Sequence, residues 1–290
     1  MKTPEIQWLT QDKTLFELDW LTYLFKDCGT PIKPIVEGIA VNITDSIIIC
    51  NHAIPYRFVL DQLRAEGKKY AIVLLSDENL RDPCEWLHDP NCVGLLRNYL
   101  NPMQLKHPKV TVFGLGYKRG FCEEPTKSVR DHVWCFMGTP HGERKQLLDL
   151  FKPLKPYIHK ECSGFGAADG LETQKYSQLM RDSVFALCPA GQDSMDSFRL
   201  YEALEAGCIP ITVKYSNQFK IYPSYWHGVF YGESTLPFVL EESWQECFER
   251  VKNMSETEIK QLQEECKLFW AKWKLIWKQE ATSLYNKLCI

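Results

Sequence analysis

The chain has no surplus of basic residues. Its 34 lysines and arginines stand against 37 aspartates and glutamates, a formal net charge of −3. No block of like charges breaks that balance, so nucleic acid is not an expected partner. It also has no apolar run approaching the roughly 18 residues that a membrane-spanning helix requires. Its longest runs, around Ser46–Cys50 and Tyr70–Leu75, are strand-sized. The opening Met1-Lys2-Thr3-Pro4-Glu5 shows no basic segment followed by an apolar one, so no secretory signal is expected. These absences predict no stable membrane insertion and a cytoplasmic location. No CxxC pair and no HExxH motif occurs, which argues against zinc ribbons and zincins. The 12 cysteines are dispersed, and Cys50, Cys135, Cys188 and Cys208 sit inside apolar runs. That pattern suits reduced, buried thiols rather than a disulfide framework. Asp-x-Asp, the usual carboxylate grip on a divalent cation, is missing. So is a true GxGxxG. The series Gly114, Gly116, Gly120 and Gly164, Gly166, Gly170 each carry one residue too many before the last glycine, which argues against an NAD-type oxidoreductase.

What the chain does have is material for large cores: 290 residues, 45% of them hydrophobic, with 9 tryptophans. At roughly 100 to 200 residues per domain, the length favours two domains. Strand and helix patterns alternate. Ser46–Cys50 is a continuous apolar run, as a strand covered on both faces requires. A helix is predicted over Tyr56–Glu66, stopped by Gly67, and strands over Tyr70–Leu75 and Val110–Leu115. The polar stretch Glu123–Asp131 is a candidate linker. After it the pattern restarts: strand His132–Met137, helix Glu143–Phe151, strand Val184–Leu187, helix Ser197–Ala206 and strand Cys208–Val213. The domains are placed at 1–125, 126–255 and, for a C-terminal helix, 256–290. Ser255 and Glu258 form a capping box for that helix. Leu262, Cys266, Phe269, Trp273 and Trp277 recur at helical spacing, with lysines between them. Such a helix either lies on a membrane surface or packs its aromatic face across the two domains, and the second is the preferred reading.

The richest stretch is Ser183–Val213. A buried strand ends at Cys188-Pro189, and the polar loop Ala190–Asp196 follows at the strand's C-terminal end, where α/β folds bind ligands. A helix begins near Ser197, and its free N–H groups suit an anion such as diphosphate. Arg199, in the first turn, opposes the helix dipole, so a carboxylate or phosphate partner is expected. Glu202 lies further along, and a carboxylate can accept both hydroxyl protons of a ribose.

This stretch resembles the C-terminal signature of exostosin-type glycosyltransferases. The resemblance rests on Ser183, Phe185, Leu187, Pro189, Gly191, Ser197, Arg199, Glu202, Ala203, Ala206, Gly207, Cys208, Ile209 and Pro210. Weaker likenesses lie at Arg97 with Tyr99, at Leu115–Phe121, and at Phe136-Met137-Gly138 with Arg144. They extend it over about Ile43–Pro210. In style the chain is similar to the soluble exostosin-like enzymes of large algal viruses (chloroviruses), which glycosylate capsid protein in host cytoplasm and include a xylosyltransferase.

The resemblance implies an α/β, GT-B fold of two facing Rossmann-like domains. It implies inverting, metal-independent sugar transfer from a UDP-sugar to an oligosaccharide or glycoprotein acceptor, with xylose the first choice of donor sugar and no cofactor. The implied donor residues are Glu202 at the ribose and Ser197 and Arg199 at the diphosphate. Arg144 and the Gly138 turn are second-rank phosphate candidates, and Gly191 lies in the donor loop. Without a metal, fixed positive groups must neutralise the leaving UDP, and Arg199, Arg144 and the helix dipole could do so. The loop of Tyr117, Lys118 and Arg119 is assigned to the acceptor side. An inverting transfer needs a general base; strand ends in the first domain offer Asp77, then Glu78, then His52. The alternative is a catalytically silent carbohydrate- or nucleotide-binding protein on the same fold.

Overall fold

The structure is a computed structural model of the chain. It describes residues 3–11, 14–36, 40–122, 128–164, 166–214 and 225–290. The chain divides into two compact units, residues 1–115 with 273–290 and residues 116–272. The expected boundary at 125/126 and linker residues 123–127 lie outside the described residues.

In unit 1, β1 (Glu5–Leu9), α1 (Leu18–Leu24), β2 (Ile32–Ile35), β3 (Ser46–Cys50), α2 (Arg57–Ala65), β4 (Tyr70–Leu74), β5 (Cys92–Arg97) and β6 (Val110–Val112) follow in order. The strands form one sheet in the order β2-β1-β3-β4-β5-β6, parallel throughout. Burial on both faces explains why β3 and β4 read as unbroken apolar runs, every residue of each being buried. β1 breaks that rule with Gln7, which is fully buried. Its amide is satisfied by the Asn42 backbone and the Ser46 hydroxyl.

Unit 2 holds β7 (His132–Gly138), α3 (Arg144–Phe151), β8 (Tyr157–Glu161), α4 (Thr173–Arg181), β9 (Ser183–Leu187), α5 (Phe198–Ala206), β10 (Ile209–Val213), α6 (Tyr225–Val229), β11 (Val239–Glu241) and α7 (Trp244–Asn253). Its sheet is ordered β11-β10-β9-β7-β8, again parallel. Both sheets are doubly wound. The strand order reverses between β1 and β3 in unit 1 and between β7 and β9 in unit 2. Outside the carboxyl ends of strands at such a switch point, α/β sheets open a crevice for ligand.

The last helix, α8 (Glu256–Leu288), serves both cores. Phe269 packs on Phe230 and Phe238 in unit 2, with Trp270 beside Tyr201. Trp273 and Trp277 belong to unit 1, where Trp277 meets Trp20 edge-on. The aromatic face is therefore spent on protein cores, which removes the membrane-surface reading. Among the described residues no helix is long and apolar enough to cross a membrane. None of the twelve cysteines forms a disulfide.

Candidate functional site

The switch point of unit 2 gathers most of the predicted donor residues. β7 ends at Gly138, and the turn that follows leads into α3, whose first residue is Arg144. The Arg144 side chain turns back into the fold. It donates to the Thr139 carbonyl at 3.0 Å and to the Ala190 carbonyl, so it bridges the chain leaving β7 to the chain leaving β9. Arg199, from the first turn of α5, donates to the Met137 carbonyl at 3.2 Å. Its guanidinium lies 4.7 Å over the Phe136 ring, a cation–π contact. The partner expected from sequence was an anion; the structure supplies a carbonyl and an aromatic face. Among the described residues neither arginine forms an ion pair, and the Nε atom of each is buried without an acceptor. Burial first, and then Arg199, pushes the Arg144 guanidinium down to about 10. Burial, then Arg144 and Arg199, also holds His141 below its ordinary value. A buried Arg144 and a half-buried Arg199, which repel each other and keep unspent N–H groups, offer chemistry suited to an anion.

The two glycines of this region are explained by close approach. A Cβ on Gly138 would lie 2.5 Å from an Arg199 nitrogen. A Cβ on Gly191 would lie 2.6 Å from the Asp196 carbonyl oxygen, so the loop before α5 closes only around glycine. Ser197 caps α5 in extended backbone, yet its hydroxyl makes no capping bond and stays free to meet a ligand at the helix N-terminus.

Glu202 is 4% exposed. One carboxylate oxygen accepts from the Tyr176 hydroxyl at 2.8 Å, the other from the Lys118 amide at 3.4 Å. Burial raises its carboxyl above the ordinary range, against the pull of Tyr176 and Arg199. A carboxyl that binds its proton more tightly folded than unfolded makes the fold less stable as pH rises from the ordinary glutamate range through the raised value. Glu202→Gln should therefore increase the melting temperature at pH 8 relative to the parent and leave it nearly unchanged at pH 4. An equal change at both pH values would sink this account.

The loop expected on the acceptor side belongs to unit 2, beside the donor candidates. Tyr117 is buried and stacks on Phe121, which is itself anchored by its carbonyl accepting from Ser177. Lys118 presents its backbone to Glu202, and Arg119 is exposed. Of the base candidates, Asp77 is 2% exposed and pairs with fully buried Arg97 at 3.1 Å. It also accepts from the backbone N–H groups of Arg81 and Asp82. Glu78 is half-buried and accepts from the Tyr99 hydroxyl at 3.0 Å. His52 is exposed just after β3, at the β1/β3 switch point.

Three residues were given no role from sequence. Asp196 is 2% exposed and accepts from Tyr201, Tyr225 and the Ser197 amide, tying the start of α5 to α6. Its signal was an aspartate just before a helix start. Tyr176 serves Glu202, and no local signal marks it; Phe136, noted from sequence only as part of the turn before Gly138, serves Arg199.

Residues 102–224 match the Exostosin GT47 domain. No curated protein sequence matches the chain significantly. Three solved structures share the fold. An O-GlcNAc transferase of Thermobaculum terrenum, in a point-mutant form, aligns at TM-score 0.53 and 8% identity over 99% of this chain and 69% of its own. An alpha1,3-fucosyltransferase aligns at 0.52 and 10%, over 98% and 92%. The spinosyn forosaminyltransferase SpnP aligns at 0.50 and 10%, over 94% and 96%. At such identities the likeness speaks for the fold. Residues 102–224 thus match the Exostosin GT47 domain, and the chain has the α/β, GT-B fold that these three structures share.

Proposed function

We propose that the chain is an inverting, metal-independent glycosyltransferase that moves a sugar from a UDP-sugar to a glycan acceptor, with xylose the first donor to test. The observation that carries this reading is a buried and a half-buried arginine, neither in an ion pair among the described residues, at the unit 2 switch point. The diphosphate of the donor would lie against Arg144, Arg199, Ser197 and the N-terminus of α5. When the sugar–oxygen bond breaks, negative charge grows on the leaving UDP, and fixed guanidiniums stabilise it without reorganising. Glu202 would hold the ribose hydroxyls. For the base that takes the acceptor proton, His52 moves ahead of Asp77 and Glu78. It is exposed at a switch point, whereas Asp77 is buried and held by Arg97.

Binding and turnover test separate parts of this reading. A UDP-sugar at 100 times its dissociation constant stabilises by ~2.7 kcal/mol, and the shift should survive EDTA. UDP-xylose, UDP-glucose, UDP-N-acetylglucosamine and UDP-glucuronate with a glycan acceptor should release UDP with at least one pair. His52→Ala should lower that rate by roughly 10²- to 10⁴-fold, the usual worth of a general base, with donor affinity unchanged. Stabilisation without any UDP release would replace the enzyme with a nucleotide-binding protein.

A further inference from the structure

Unit 1 contains a cavity that the transfer chemistry does not use. Its volume is about 210 Å³, smaller than the clefts that hold drug-sized ligands and suited to one ring with its substituents. One wall is a face of α2, where Arg57, Leu60, Asp61 and Arg64 recur at i, i+3, i+4 and i+7. The opposite wall is the short 3₁₀ turn Glu85–His88, which follows Cys84 in left-handed backbone. Trp86, half-buried, supplies the aromatic surface, and its indole N–H is buried with no acceptor among the described residues.

The charges argue against an ionic ligand. Arg57 pairs with Glu85 at 3.1 Å and lies 3.9 Å from Asp61. Arg64 faces Asp89 at 3.9 Å. Asp89 also accepts from the Tyr70 hydroxyl at 2.9 Å. Two arginines against three carboxylates leave no positive surplus for an anion. Each of these carboxylates already has a cationic partner within 4 Å, which disfavours a cation. What remains is a lining of alternating donors and acceptors beside an aromatic plane and the exposed Ile54. An uncharged polyhydroxyl ring matches it: hydroxyls pair with both signs of charge, and ring C–H groups cover the aromatic face.

We propose that this cavity is a carbohydrate subsite that takes one uncharged pyranose ring of an oligosaccharide. Binding here needs no turnover, so its test is independent of the transferase reading. The probes are cellotetraose, xylotetraose and chitotetraose, with uridine and inorganic sulfate as controls, titrated into the full chain. The readout is the Trp86 indole N–H resonance, assigned by its loss in Trp86→Phe. At least one tetrasaccharide should shift that resonance, and in calorimetric titrations Trp86→Phe and Asp61→Ala should each weaken its binding by roughly tenfold. Asp61 is exposed on α2, so its variant keeps the fold. The proposal is overturned if no tetrasaccharide shifts the resonance into the millimolar range, if uridine or sulfate binds instead, or if both variants bind as the parent does.

Discussion

Arg199→Met should weaken UDP binding by roughly 10- to 100-fold, the worth of a charge-assisted hydrogen bond or two, and should not lower the melting temperature of the nucleotide-free protein. The second half follows from what Arg199 costs the fold. Its guanidinium is partly desolvated, leaves a buried Nε unpaired and sits close enough to Arg144 to lower that group's pKa. A methionine keeps contact with Phe136 and removes all three penalties. Arg144→Met should behave differently. That side chain clips the Thr139 and Ala190 carbonyls together, so its loss frees two loops and costs stability as well as binding. Calorimetric titration with UDP and thermal melts of both variants decide the matter. An Arg199→Met protein that binds UDP like the parent would move the diphosphate elsewhere. One that melts lower without ligand would make Arg199 a structural residue. His141 offers an independent reading. The two guanidiniums help to hold its imidazole below the ordinary value, so a bound diphosphate, by offsetting them, should raise it.

The contrast between these arginines shows what the sequence could and could not disclose. Arg199 stood out because a cation in the first turn of a helix contradicts a local rule, but in place of the anion this asked for it meets a carbonyl and an aromatic face. β3 was legible because Ser-Ile-Ile-Ile-Cys has no other comfortable place, and its observed limits match the expected ones. β1 was not seen: Glu-Ile-Gln-Trp-Leu places Gln7 in the core. Only residues 35 and 39 positions away make that burial tolerable. β5 was hidden by Gly94 and by a charged last residue, Arg97. β8 was hidden because Tyr-Ile-His-Lys-Glu is an edge strand with a polar end. The site divides the same way. The strand–loop–helix unit that bears Gly191, Ser197, Arg199 and Glu202 is contiguous and was read from its own residues. The role of Asp77 is decided by Arg97, 20 positions along the chain and one strand over, where no local pattern reaches.

That pair carries the other large effect. Arg97→Met alone should destabilise the protein by about 3–5 kcal/mol, because it strands a buried carboxylate, and lower the melting temperature of the unit by on the order of 10 °C. Arg97 is fully buried, and besides Asp77 it donates to the Asn98 and Tyr99 carbonyls and to Gln104. Asp77 in turn receives the Arg81 and Asp82 amides. The pair therefore pins the chain leaving β4 to the chain leaving β5. Replacing both partners, Asp77→Leu with Arg97→Met, should recover part of the loss, since no unpaired charge remains. The same variants settle the role of Asp77. As a positioning residue, Asp77→Asn should melt lower yet keep its rate per folded molecule when assayed well below its melting temperature. As the general base it would lose roughly 10²- to 10⁴-fold there, as His52→Ala is expected to do with its melting temperature intact. Asp77 is buried and already engaged by a guanidinium and two amides, whereas His52 is exposed at a strand end, where an acceptor hydroxyl can reach it.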